Sequence, residues 1–169
     1  MTGCVQRFAL VGKTGVGKTE VARCLLERGF VPCKTGAICR QISNLLFGND
    51  WKVNTQRISD ALIALEPSIF LKAALRTWDR ETPTVIDALR YRTDLEAARA
   101  EGFSIIRVVA SEEDRVRWLR ERGEVFDLAK DGPHQTEVEL DSEDADITIN
   151  NNATIDELKR QVHEALVTP

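Results

Sequence analysis

"ALVGKTGVGKTE", residues 9–20, decides the architecture. Within it Gly12-Lys13-Thr14-Gly15-Val16-Gly17-Lys18-Thr19 satisfies the spacing G-x-x-x-x-G-K-[ST]. The apolar run "RFALVG" (7–12) precedes it as a strand, and "KTEVARCLLERG" (18–29) follows as a helix with apolar residues at Val21, Leu25 and Leu26 and a stop at Gly29. Strand, glycine-rich loop and helix together form the context the motif needs. Glycines allow successive backbone N–H groups to turn around phosphate oxygens, and the positive end of the helix adds to the field. Lys18 is expected to reach the β- and γ-phosphates of a nucleotide and the Thr19 hydroxyl to bind Mg²⁺. Lys13 and Thr14 occupy variable positions of the loop and read as its solvated members.

Outward from the loop the pattern alternates. "FVPCK" (30–34) reads as a second strand and "TGAICRQISNLLFG" (35–48) as a helix closed by Gly48, with Ile38, Ile42, Leu45 and Leu46 on one face. Two more helical stretches follow, "TQRISDALIALE" (55–66) and "PSIFLKAALRTWD" (67–79), the second opening on Pro67 where proline is tolerated. "PTVIDALR" (83–90) is a buried strand ending in Asp87, "TDLEAARAEG" (93–102) a helix capped by Thr93, and "FSIIRVVA" (103–110) a further strand. "SEEDRVRWLRERG" (111–123) has a serine cap, an acidic first turn and a basic last turn. "DITIN" (146–150) and "ATIDELKRQVHEALV" (153–167) supply a last strand and a closing amphipathic helix. Strands alternating with helices predict an α/β fold of three layers, α/β/α, with a five-stranded, mostly parallel sheet of the phosphate-loop NTPase type. The 169 residues are expected to form one domain, with a helical insertion over about 36–80 and a lid over about 115–145.

Composition narrows the class. Charged residues make up 30% of the chain and no apolar run approaches the ~20 residues that cross a bilayer, so no membrane association is expected. The start "MTGCVQRFALVG" lacks the pattern of a signal peptide, and the expected location is the cytoplasm. Cys4, Cys24, Cys33 and Cys39 show no C-x-x-C spacing, which favours reduced thiols over a zinc site. Residues 1–92 carry 14 Lys and Arg against 8 Asp and Glu, and residues 93–169 carry 9 against 19. A basic first half that includes the loop suits a pocket gathering anionic substrates.

The loop alone does not say what receives the phosphate. The N-K-x-D element of guanine-binding GTPases is absent, as is the glycine-serine signature of transporter ATPases, and a hexameric ATPase needs more chain. The small-kinase class remains, with ATP and Mg²⁺ as cofactors and the acceptor pocket after strand two. There "CKTGAICR" offers Lys34, Thr35 and Arg40 to an anionic or hydroxylated acceptor. Arg120 and Arg122, at the end of the arginine-rich helix, read as lid residues that meet the γ-phosphate during transfer, whereas Arg115 and Arg117 read as partners of Glu112, Glu113 and Asp114 along the helix. Trp78 and Trp118 read as packing aromatics. Residues 123–145 are acidic and weakly periodic, and read as a mobile loop that closes over the phosphates.

Asp87 at a strand end, Arg90-Tyr91, Asp94 and Gly102 together resemble phage-type deoxynucleoside monophosphate kinases, within the nucleoside monophosphate kinase-like group. "HQTE" (134–137) and "DADITINNNATIDELKRQV" (144–162) add a likeness to the end of dephospho-coenzyme A kinases. The resemblance implies that Asp87 helps hold Mg²⁺ or orients the acceptor and that Arg90 contacts a phosphate; the roles of His134 and Glu137 stay open. It further implies a small nucleotide substrate and a monomer or homodimer. "TGAICR" and "NTQRISDAL" depart from the patterns such kinases show at these places. The acceptor therefore stays open between a free deoxynucleoside monophosphate and, as in a sister group of phage enzymes, 5-hydroxymethyluracil already inside DNA. Dephospho-coenzyme A phosphorylation and a non-catalytic nucleotide switch are the lesser alternatives.

Overall fold

A computed structural model describes residues 5–123 and 139–167. The elements run β1 (Arg7–Val11), α1 (Lys18–Leu26), β2 (Val31–Cys33), α2 (Thr35–Phe47), α3 (Lys52–Leu65), α4 (Ile69–Arg76), β3 (Thr84–Ile86), α5 (Arg92–Ala100), β4 (Ser104–Val109), α6 (Glu112–Glu121), β5 (Ile147–Asn150) and α7 (Ile155–Val167). The five strands form one sheet in the order β2-β3-β1-β4-β5, and every pairing is parallel. The expected α/β/α sheet of five strands is thus present, and β1 lies at its centre.

Alternation along the strands builds two cores. Phe8 and Leu10 of β1 face one side, where Val21 and Leu25 of α1 and Leu158 and Val162 of α7 cover them. Ala9 and Val11 face the other, under Leu71 and Leu75 of α4 and Leu95 and Ala98 of α5. Both faces of a parallel sheet need such cover, which is why its strands read as continuous apolar runs. Leu26, counted with the apolar face of α1, lies at its margin and is exposed.

Two expectations change on this side of the molecule. The apolar face of α2 was expected to include Leu45 and Leu46, yet these are 85% and 62% exposed. The helix instead buries Cys39 and Ser43, and the Ser43 hydroxyl donates to the Asn49 carbonyl at 2.7 Å. Helix α5 begins at Arg92 and not after a Thr93 cap: the Asp94 carboxylate, in the first turn, accepts from the Arg90 and Tyr91 N–H groups at 3.3 Å each. Trp78 is a packing residue, its ring tilted against that of Phe103 at 5.1 Å between centroids, and it donates from its indole N–H to the Thr84 hydroxyl at 2.9 Å. Residues 124–138 of the expected lid, with both His134 and Glu137, lie outside the described residues. Among the described residues no helix is long and apolar enough to cross a membrane.

Candidate functional site

The loop after β1 leaves the sheet at its carboxyl edge, where open α/β sheets bind ligands. Gly12 has φ +141°, and a Cβ there would stand 2.3 Å from the Val108 carbonyl oxygen of the neighbouring strand β4. Gly17 has φ +97°, and a Cβ there would stand 2.2 Å from the Asn151 side-chain nitrogen. Only glycine satisfies both the backbone and the space at these two positions. Helix α1 opens at Lys18, so its first-turn N–H groups and the positive end of its dipole meet the loop. The Lys18 ammonium donates to the carbonyls of Gly12 (2.5 Å) and Lys13 (2.9 Å). Thr19 is exposed at the first turn.

Residues remote in sequence surround this loop. The Lys13 ammonium pairs with Asp141 at 3.0 Å, both side chains about two-fifths exposed. Arg115, expected to pair along its own helix, is only 6% exposed and donates from Nε to the Thr14 carbonyl at 2.9 Å. Its neighbour Arg117 does pair with Asp114, as local spacing predicts. Leu119 packs against Gly15. Arg122 borders a cleft of about 370 Å³ with Gly15, Gly17, Trp118, Asn151 and Ala153. Arg120 is exposed and lies along a groove on α6 with Glu113, Val116 and Arg117. The cleft beside Gly17 is large enough to admit part of a nucleotide next to the loop. Its Asn151–Ala153 wall enters the sequence reading only within the 144–162 stretch that resembles dephospho-coenzyme A kinases, with no role given to these residues.

A second cleft, of about 470 Å³, opens between α2, α3, α4 and the segment after β3. Thr35, Arg40 and Arg90, expected on the acceptor side, all line it. Lys34 is exposed at the residue before α2 and does not line it; Asp87 is exposed just past β3, also outside the lining. The cleft adds residues the sequence did not single out: Lys52, Gln56 and Ser59 from α3, and Phe70 from α4. Tyr91 and the buried Asp94, which entered only through the family resemblance, line it as well. Burial raises the Asp94 carboxyl above the ordinary aspartate value, opposed by the N–H groups of Arg90 and Tyr91. Burial likewise pushes the Cys33 thiol, at the end of β2, up to about 11, with the nearby Asp87 carboxylate adding to the rise. Cys24, Cys33 and Cys39 are free thiols, and Cys39 donates to the Thr55 carbonyl at 2.9 Å.

Thr19 in the first turn of α1 and Asp87 just past β3 are both exposed, and a hydroxyl and a carboxylate are oxygen donors of the kind Mg²⁺ accepts. No group of three or more acidic, cysteine or histidine side chains able to hold a metal occurs among the described residues, so a dedicated all-protein cage is not built there.

Solved structures share this fold across almost the whole chain. The Thermus thermophilus protein TT1252 superposes with a TM-score of 0.57 at 18% identity, covering 97% of this chain and 100% of its own. A sugar kinase from a Janibacter species (TM-score 0.54, 14% identity) and a gluconokinase from Sinorhizobium meliloti (0.53, 15%) each cover 96% of this chain and 92% of theirs. Two of these three neighbours are kinases, and the likeness is one of fold. No protein-family model matches the sequence, and no curated protein matches it significantly.

Proposed function

We propose that the chain is a kinase that moves the γ-phosphate of ATP onto a deoxynucleoside monophosphate. The observation that carries this reading is the 470 Å³ cleft on the same sheet edge as the phosphate loop, where three cations, Arg40, Lys52 and Arg90, share a wall with Phe70 and Tyr91. A phosphate monoester needs cations, best supplied by planar arginines that can bind two oxygens at once. A nucleobase needs flat apolar surface, and one small cleft here offers both. The hydroxyls of Thr35, Thr55 and Ser59 add groups that can meet a sugar.

In this reading the donor phosphates draw Lys18 off the Gly12 and Lys13 carbonyls, and its charge follows the phosphoryl group as negative charge spreads in transfer. Mg²⁺, when bound with the nucleotide, neutralises phosphate charge; Thr19 and Asp87 would hold it. Arg122, at the mouth of the donor cleft, and Arg120 supply further positive charge from α6. The acceptor is held across the sheet edge by Arg40 and Arg90, so both substrates approach from opposite sides of the β1 and β3 ends.

A second reading is favoured by one observation. Phe47, at the end of α2, and Trp51, next in sequence to the cleft residue Lys52, are 54% and 68% exposed, and exposed aromatics near cations suit the bases and phosphates of a strand. On that reading the acceptor is the hydroxymethyl group of 5-hydroxymethyluracil within DNA. One experiment separates the two: transfer from labelled ATP to the four deoxynucleoside monophosphates, dephospho-coenzyme A, gluconate, plain DNA and hydroxymethyluracil-containing DNA. Labelled deoxynucleoside diphosphate is the expected product. Label on the modified DNA alone, lost steeply as salt rises, establishes the second reading, and label on gluconate or on no acceptor overturns both.

A further inference from the structure

A phosphate cradle needs its N–H groups turned inward, so its carbonyls must turn outward and find donors there. Two such carbonyls are held from far along the chain. Arg115 Nε donates to the Thr14 oxygen at 2.9 Å, and Asn151 Nδ2 donates to the Val16 oxygen at 3.0 Å. No described peptide bond is cis. In a planar trans peptide the C=O and the following N–H point in opposite directions, so fixing the Val16 carbonyl toward Asn151 fixes the Gly17 N–H away from it. By the same argument Arg115 fixes the Gly15 N–H.

Asn151 is itself fixed. Its backbone N–H donates to the Val109 carbonyl at 2.8 Å, and next to it the Asn152 side-chain oxygen accepts from the Ser111 N–H at 2.6 Å. The end of β5 is thereby tied to the end of β4 and the start of α6. The space its side chain fills is the space that a Cβ on Gly17 would occupy. A glycine in the loop and an asparagine 134 residues later therefore form one matched contact.

We propose that Asn151 is a positioning residue for the donor phosphates: its amide holds the Val16 carbonyl outward and so aims the Gly17 N–H into the cradle before any nucleotide arrives. The proposal rests on the reading of this loop as the donor site. The role differs from that of Lys18, whose carbonyl contacts are given up when phosphate binds, because the Asn151 contact persists in both states. Preorganisation of this kind shows as lost affinity for the phosphates, with a loss of fold stability no larger than the one hydrogen bond removed.

The test uses the full chain, comparing wild type with Asn151→Ala and Asn151→Asp. ATP and ADP affinities are measured by calorimetry, amide hydrogen exchange is followed over residues 13–19 without nucleotide, and thermal unfolding is recorded. The expected result for Asn151→Ala is a loss of about 5–10-fold in affinity for both nucleotides, the worth of one hydrogen bond, with faster exchange confined to the loop. Asn151→Asp, which keeps the shape but cannot donate from a carboxylate, is expected to lose more. Unchanged affinity in Asn151→Ala overturns the proposal and leaves the donor site standing. Lower thermal stability and faster exchange throughout, with unchanged affinity of the folded protein, assigns Asn151 a structural role and also overturns it. A wild-type chain that binds neither ATP nor ADP removes the donor reading and the proposal with it.

Discussion

Gly17→Ala puts the loop geometry to a quantitative test. The new Cβ meets two obstacles: a φ of +97°, which disfavours any L side chain, and the Asn151 nitrogen 2.2 Å away. The left-handed backbone costs about 1–2 kcal/mol. To make room Asn151 must swing aside and give up its bond to Val16, a further loss of about 1 kcal/mol. The sum is about 2–3 kcal/mol, which for a chain of this size lowers the melting temperature by about 4–12 °C. Calorimetric unfolding measures this in the wild-type and in the Asn151→Ala background, where the obstructing amide is gone. There Gly17→Ala should cost only the backbone part, about 1 kcal/mol less than in wild type, because contacting residues do not act additively. Equal cost in the two backgrounds would refute the contact between Gly17 and Asn151, and with it the idea that this glycine is matched to a remote side chain.

Lys18→Ala is expected to abolish phosphoryl transfer while the melting temperature stays within a few degrees, since a half-buried surface ammonium is lost and no core is opened; near-normal turnover would remove the lysine from the chemistry. Arg40→Ala and Arg90→Ala should each raise the acceptor KM more than about tenfold with ATP affinity unchanged, measured by steady-state kinetics with either substrate varied. Asp94 carries a pH signature: its folded value is raised, first by burial, so the native state binds a proton that the unfolded chain releases. Stability should therefore fall as pH rises from about 3.9, the unfolded value, through the raised folded one, and Asp94→Asn should flatten that part of a denaturation series. At neutral pH the Cys33 thiol, with its value pushed up to about 11, should resist alkylation until the chain unfolds.

What the sequence made legible was local in origin. The loop, its strand and its helix follow from one spacing over residues 7–29, and the five strands follow from short apolar runs bounded by turns. Periodicity names an apolar face without saying what covers it, and α2 shows the consequence: Leu45 and Leu46 stand exposed while Cys39 and Ser43 are buried. Thr93 is of a preferred cap type, but it is the Asp94 carboxylate that meets two N–H groups at the start of α5. Ordinary pairing rules assign Arg115 to its three acidic neighbours, whereas its Nε donates to a carbonyl 101 residues earlier. Asn151 lies in the 144–162 stretch that resembles dephospho-coenzyme A kinases, but nothing in one dimension says which of its side chains meets the loop. Its partner Val16 is reached only because parallel pairing brings the ends of β4 and β5 to the same edge as the loop.

The two halves of the site are held with unequal force, and the difference follows from topology. The loop after the central strand is touched by β4 through Val108, by α6 through Arg115 and Leu119, by the end of β5 through Asn151, and by Asp141 through Lys13. The exposed ion pair adds little to that list, because solvent screens it; the buried arginine and the amide carry most of the constraint. On the acceptor side, α3 contributes Lys52, Gln56 and Ser59 to the cleft and yet buries no residue of its own. An element with little buried apolar area is stabilised little by burial and moves at low cost. On the proposed reading, a donor site braced by several strands and helices beside an acceptor wall of such an element suits a kinase whose phosphate chemistry must be aimed before binding. Its acceptor side is left to be shaped by what binds there.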